Sequence, residues 1–114
     1  MLLITSRETR RWIIPKGWRH KGLSRPRAAV REAFEEAGVR GRPRKKLGKF
    51  AYKKILKSGA GEVDCLVDVY LVDFKKQEKT WPEQNERMVA WVSPSVAARR
   101  VQEPELRKIL RRLQ

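Results

Sequence analysis

The sequence is poor in cysteine, histidine and acidic residues. It has one cysteine, Cys65, and one histidine, His20. A lone cysteine excludes an internal disulfide and any zinc site built on cysteine ligands. Cys65 lies in an apolar strand-like run, where a packing role is expected rather than a nucleophilic one. His20 has no histidine or cysteine companion, and a surface-loop role is the expectation for it. No apolar run approaches the roughly 20 residues that a membrane-spanning helix requires. Met1 to Thr5 is too short for the apolar core of a secretion signal, and Arg7, Arg10 and Arg11 follow at once. Without an export signal or a disulfide, a cytoplasmic location and no membrane partner are expected.

Acid is the other scarcity. Thirteen acidic residues face 28 basic ones, a net charge of +15 over 114 residues. An excess of that size favours a polyanionic partner: nucleic acid, inositol polyphosphate, nucleotide or anionic lipid. The basic residues concentrate in Arg40, Arg42, Arg44, Lys45, Lys46 and Lys49, and again from Arg99 to Arg112. The length suits one domain, residues 1–114, able to bury a core without covalent staples.

Against this background, three of the few acids stand together at Glu32, Glu35 and Glu36. On a helix each residue advances about 100°, so the three share an arc of roughly 100°. Val30, Ala33, Phe34 and Ala37 fall on the opposite side. Like charges at these spacings repel by a few tenths of a kcal/mol per pair. A helix that needed only a wetted face would alternate signs here. Converging carboxylates suit a hard divalent cation such as magnesium or manganese.

Local signals predict the elements. Leu2 to Thr5 and Trp12 to Pro15 read as short strands, and Lys16 to Leu23, with two glycines, as a loop. Ser24 is an N-cap, Pro26 suits the first helical turn, and Gly38 can take the left-handed position after the last residue. The helix is therefore expected from about Arg25 to Ala37. Gly41 to Pro43 reads as a turn and Leu47 to Leu56 as a strand. A hairpin turn over residues 57–61 leads to a strand from Val63 to Phe74. Its residues Val63, Cys65, Val67, Val69 and Leu71 face one way, Asp64 and Asp68 the other, toward water or charge. Lys75 to Arg87 reads as loop and Met88 to Val92 as a strand. A short helix follows behind Ser93 and Pro94, and a terminal helix spans Glu103 to Leu113, with Leu106, Ile109, Leu110 and Leu113 at helical spacing. Trp12 and Trp91 read as packing residues. Trp18 and Trp81, in loops, suit packing or stacking on a base. The whole is an α+β chain, an α/β/α sandwich.

The stretch Gly17, five residues, Leu23, seven residues, then Arg31-Glu32-Ala33-Phe34-Glu35-Glu36-Ala37-Gly38-Val39 resembles the Nudix box. One fixed position departs: Leu23 stands where the family has its first glutamate. That glutamate helps hold the box arginine, and Glu35, at i+4 from Arg31, is placed to do so instead. Ser6-Arg7, Arg11 to Pro15, Glu86-Arg87 and Trp91 are similar to the diphosphoinositol polyphosphate phosphohydrolase group. The resemblance implies a Nudix-type sandwich with a mixed sheet, here lacking the strand that normally precedes Leu2 to Thr5. An edge left open that way offers pairing with another chain, so monomer and homodimer are both open.

The resemblance also implies metal-dependent hydrolysis of a phosphoanhydride bond. The substrate would be a nucleoside diphosphate linked to another group, a dinucleoside polyphosphate or a diphosphoinositol polyphosphate, and the cofactor Mg2+ or Mn2+. Glu32, Glu35, Glu36 and the carbonyl of Lys16 would form the ligand set. Glu35 or Glu36 would act on the attacking water, with base and ligand roles not apportioned. Arg7, Arg11 and Arg87 would sit at substrate. Lys16 adds a point charge, and Gly17 and Gly22 allow close approach of the loop. The competing expectations are a non-enzymatic polyanion or RNA binder, which the charge favours, and a weakly active Nudix paralogue.

Overall fold

The computed structural model describes residues 1–7, 9–16, 24–55 (54 and 55 as backbone alone) and 61–113. The expectations for Gly17, Trp18, His20, Gly22, Leu23 and most of the 57–61 turn lie outside the described residues. Among the described residues, five strands and three helices follow in the order β1 (Leu2–Thr5), β2 (Trp12–Ile13), α1 (Arg25–Ala37), β3 (Val39–Ile55), β4 (Glu62–Gln77), β5 (Val89–Trp91), α2 (Pro94–Arg100) and α3 (Pro104–Arg111). The α+β class holds. Strands β2, β1 and β5 form one sheet in that order, and β3 and β4 form a long two-stranded ribbon. The described pairings all run antiparallel. The chain doubles straight back between β1 and β2 and between β3 and β4, and such short connections permit only antiparallel pairing.

Helix α1 has the expected bounds because its signals are local. The Ser24 side chain accepts from the Arg27 N–H, Pro26 lies in the first turn, and Gly38 adopts φ 72° beyond the last turn. The Gly38 N–H closes the helix on the carbonyls of Ala33 and Phe34. Ser93 caps α2 in the same way, accepting from the Val96 N–H at 3.3 Å.

The ribbon differs from expectation. Gly41 to Pro43 is not a turn but part of β3, which pairs with β4 from Val39↔Gln77 to Ile55↔Glu62. Gly41 is needed there for close approach, since a Cβ at that position would overlap the Asp73 carbonyl. Pro43 lies at a register shift between Pro43 and Lys45, where a missing N–H is tolerated. Likewise β4 runs on to Gln77, three residues beyond Phe74, and only the later part of the expected loop is turn.

The core gathers Leu3, Ile4 and Ile13 from the three-stranded sheet, Phe50, Tyr52 and Val69 from the ribbon, and Leu106, Ile109 and Leu110 from α3. Each large aliphatic side chain buried this way contributes about 1.5–3 kcal/mol. Leu113 packs at the margin of this core. On the other face of β4, Asp68 meets charge as expected. Lys46 Nζ lies 2.9 Å from it and Arg25 Nη1 3.1 Å, which ties α1 to the ribbon. These cations hold the Asp68 carboxyl below its ordinary range, the Lys46 hydrogen bond most strongly.

Trp81, partly buried, packs against the end of α1. Its ring lies against Gly38, where any Cβ would collide with it. Gly38→Ala therefore combines a left-handed backbone with overpacking, and should cost about 2–4 kcal/mol. Thermal unfolding followed by circular dichroism should show a fall in Tm on the order of 10 °C. An unchanged Tm would mean that this junction is looser than described.

Candidate functional site

The site forms where α1 ends. Glutamates 32 and 36 are one turn apart on the inner face of the helix, and both are buried. Glu36 is 2 % exposed. The Lys16 N–H donates to Glu36 Oε1 at 3.3 Å, and Arg87 Nη2 lies 3.5 Å from the same oxygen. Lys16 thus meets the helix just before the box loop begins, and its Nζ sits 3.6 Å from the centroid of the Tyr52 ring.

Arg87 is the hub of the site. Its Nη1 donates to the Thr5 carbonyl of β1 at 3.1 Å, and its Nε to Glu83 Oε1 at 2.9 Å. Its side chain is only 9 % exposed. One guanidinium therefore links β1, α1 and the turn after β4. That turn is itself fixed to the end of α1. Gln77 Nε2 donates to the Ala37 carbonyl at 2.9 Å, the Glu78 N–H to Gly38 at 2.8 Å, and the Glu83 N–H to Glu35 at 3.0 Å. The last carbonyls of a helix have no partner within it, and this segment supplies donors from outside.

Burial pushes the Glu36 carboxyl up to about 9. Its hydrogen bond to Glu32 and the charge of Glu32 push the same way, while Arg87 and the Lys16 N–H oppose them. Two touching carboxylates out of water hold a proton between them when no further positive charge is present. That chemistry fits a divalent cation, which would replace the proton. Glu32 and Glu36 are hard oxygen donors of the type magnesium or manganese takes. Glu35 stands apart from the pair. Its Oε1 accepts from Arg31 Nε at 2.8 Å, the substitute partnership expected from the departure at Leu23. No three acidic, histidine or cysteine side chains form a metal-holding group among the described residues. The three glutamates expected to converge therefore divide into a buried pair and one on the flank.

The expected substrate arginines divide too. Arg7 lies at the rim, 3.1 Å from Glu86 and 3.9 Å from Glu83. Arg87 lies inside, against carboxylates. Arg11 is held elsewhere, with Nη1 2.6 Å from Glu103 Oε2 and a bond to Gln102, and its guanidinium 4.6 Å from the Tyr52 centroid. It joins the start of β2 to the corner between α2 and α3. Sequence reasoning missed Glu83, Thr5 and Tyr52. Glu83 carried a signal, since it stands four residues before Arg87 and such pairs meet on one turn.

The NUDIX domain family model matches residues 1–113. The chain is similar to Nudix hydrolase 4 of Arabidopsis thaliana, 34 % identical over 95 residues, 82 % of this chain and 43 % of that protein. It is also similar to Nudix hydrolase 16, mitochondrial, of Arabidopsis thaliana, 33 % identical over 96 % of this chain and 62 % of that protein. Diphosphoinositol polyphosphate phosphohydrolase 3-beta of Bos taurus is 46 % identical over 50 residues, 44 % of this chain and 30 % of that protein. The chain belongs to the NUDIX family. It spans about half the length of the relatives it matches.

Glu36→Gln should remove the burden of an ionising buried carboxylate. Glu36 has a raised pKa, so its contribution to stability is full below about 4.5 and is lost as pH rises toward about 9. In metal-free protein the Gln variant should therefore gain Tm over the parent across that window. Added manganese should raise the Tm of the parent but not of the variant. Equal Tm shifts with manganese would show that Glu36 is no ligand. Arg11→Ala should cost on the order of 2 kcal/mol by leaving buried Glu103 unpaired. A raised KM at unchanged Tm would instead put Arg11 at the substrate.

Proposed function

We propose that this chain hydrolyses a phosphoanhydride bond in a highly anionic phosphorylated substrate, with Mg2+ or Mn2+ as cofactor. The observation that carries the reading is the buried Glu32–Glu36 pair on the box helix, fastened by Lys16 and Arg87. Two adjacent carboxylates are kept out of water there at the cost of desolvation, and a structural helix has no use for that arrangement. Family membership supports hydrolysis as the class of reaction. The name of the bovine relative favours a diphosphoinositol polyphosphate, with nucleoside diphosphates carrying a second group and dinucleoside polyphosphates as the wider class.

Glu32 and Glu36 would hold the cation, joined by Glu35 once it leaves Arg31 and by the Lys16 carbonyl. When bound, the metal neutralises phosphate charge and makes bound water more acidic. The residues of the chain do the rest. Arg87 fixes the orientation of Glu36 and offsets part of its charge through a contact buried from solvent. Tyr52 supports the Lys16 ammonium near the mouth of the box loop, where it can meet a phosphate. Arg7, half-exposed at the rim, adds a second cation for the leaving group. Glu35 is the most accessible of the three glutamates, which supports a role for it in taking a proton from water once free of Arg31, with Glu36 as the other candidate.

Release of phosphate or nucleotide should be measured over diphosphoinositol phosphates, dinucleoside polyphosphates, nucleotide sugars and capped RNA, with each metal. Turnover should require magnesium or manganese. Glu35→Gln and Glu36→Gln should each lower it by about 100-fold or more while the fold is kept. No turnover of any substrate with either metal would overturn the proposal.

A further inference from the structure

The side of α1 opposite the buried glutamates carries a different chemistry. Phe34 stands about 180° around the helix from the middle of the Glu32–Glu36 pair, Arg27 and Val30 about 140–160° from it, and Arg31 about 120°, on the flank. They face the start of β3, and together these elements enclose a groove of about 470 Å³. Val30, Phe34 and Val39 give it an apolar floor, and the exposed Pro43 an apolar edge. Its rim is cationic, with Arg27, Arg31, Arg40, Arg42 and Lys75.

Acids neutralise only part of that rim. Glu35 takes Arg31 at 2.8 Å, and Glu78 lies 4.0 Å from Arg40 and 3.0 Å from Lys76. Asp73 faces Arg42 across the ribbon, with its oxygen 3.7 Å from Arg44. The side chains of Arg27, Arg42 and Lys75 make no ion pair among the described residues. Like charges crowded around a concave, low-dielectric surface repel one another and concentrate anions there. Arg40 adds a platform. Its guanidinium lies 3.6 Å over the Phe34 ring, and its side chain is 52 % exposed. A guanidinium backed by an aromatic ring offers its outer face to a nucleobase.

We infer that this groove binds single-stranded RNA, with phosphates on the rim at Arg27, Arg42 and Lys75 and a base against Arg40 and the apolar floor. Inorganic polyphosphate would satisfy the rim but leave the floor wet. A duplex would offer its backbone and keep its bases stacked away. An unpaired strand supplies both charge and an exposed base. The net charge of +15 matches such a partner. The groove is separate from the buried glutamates and shares with the hydrolytic reading only Arg31, which the variants below leave unchanged.

The test is fluorescence anisotropy of a labelled oligouridylate with the full chain in EDTA, over a salt series. Binding is thus read without metal, and a failure to hydrolyse anything leaves its outcome untouched. The double variant Arg42→Glu, Lys75→Glu should bind at least about tenfold more weakly, with a salt slope shallower by about one for each phosphate no longer held by a side chain. The control double variant Lys108→Glu, Arg111→Glu on α3 changes the net charge equally and should bind nearly as the parent does. Both should melt as the parent does. A duplex of the same length should bind more weakly than the single strand. Equal losses in the two double variants, no loss in the groove variant, or a duplex bound as tightly as the single strand would each overturn the inference.

Discussion

The contact between Glu36 and Arg87 holds this structure to its purpose. A carboxylate 2 % exposed is costly in a protein interior, and it persists only when its surroundings over-determine it. Arg87 supplies the opposing charge, and Lys16 donates a backbone N–H. Arg87 is in turn fixed by Glu83 and by the Thr5 carbonyl, so its charge cannot swing into solvent. Three parts of the chain, distant in sequence, are brought to one point by the demand of one buried acid for partners.

That demand explains the segment between β4 and β5. It has little regular structure, yet it is tightly bound. Gln77, Glu78 and Glu83 satisfy the carbonyls at the end of α1 and beyond it, and Trp81 fills the space that Gly38 leaves. A helix end with open carbonyls and a glycine bend is an incomplete surface, and this segment completes it. The same bonds carry Glu83 and Arg87 to the site. Capping the helix and building the site are one act of packing.

Helix α1 also separates charge. Its inner face holds two acids out of water, and its outer face joins β3 in a cationic groove. Arg31 and Glu35 lie between, bound to each other on the flank at 2.8 Å. Their pairing leaves Glu35 outside the buried pair. A buried acidic pair and a cationic groove are kept apart by the width of one helix.

What sequence reading reached was local chemistry. The bounds of α1 follow from Ser24, Pro26 and Gly38, because caps act within one turn and need no distant partner. The helix α3 stripe of Leu106, Ile109 and Leu110 is equally legible, since periodicity alone decides which side is buried. The spacing of the box glutamates marked the helix that carries the buried pair of the candidate site. Gly41 and Pro43 misled, because the residues that break structure in a turn also permit close approach and bulging inside a ribbon, and only the pairing with β4 decides between the two uses. Tertiary structure alone settled which charges meet at long range. Arg11 finds Glu103 across 92 residues, and Arg87 finds Thr5 across 82. Charge pairing at such range depends on burial and on which elements pack together, and a linear pattern of residue types carries neither.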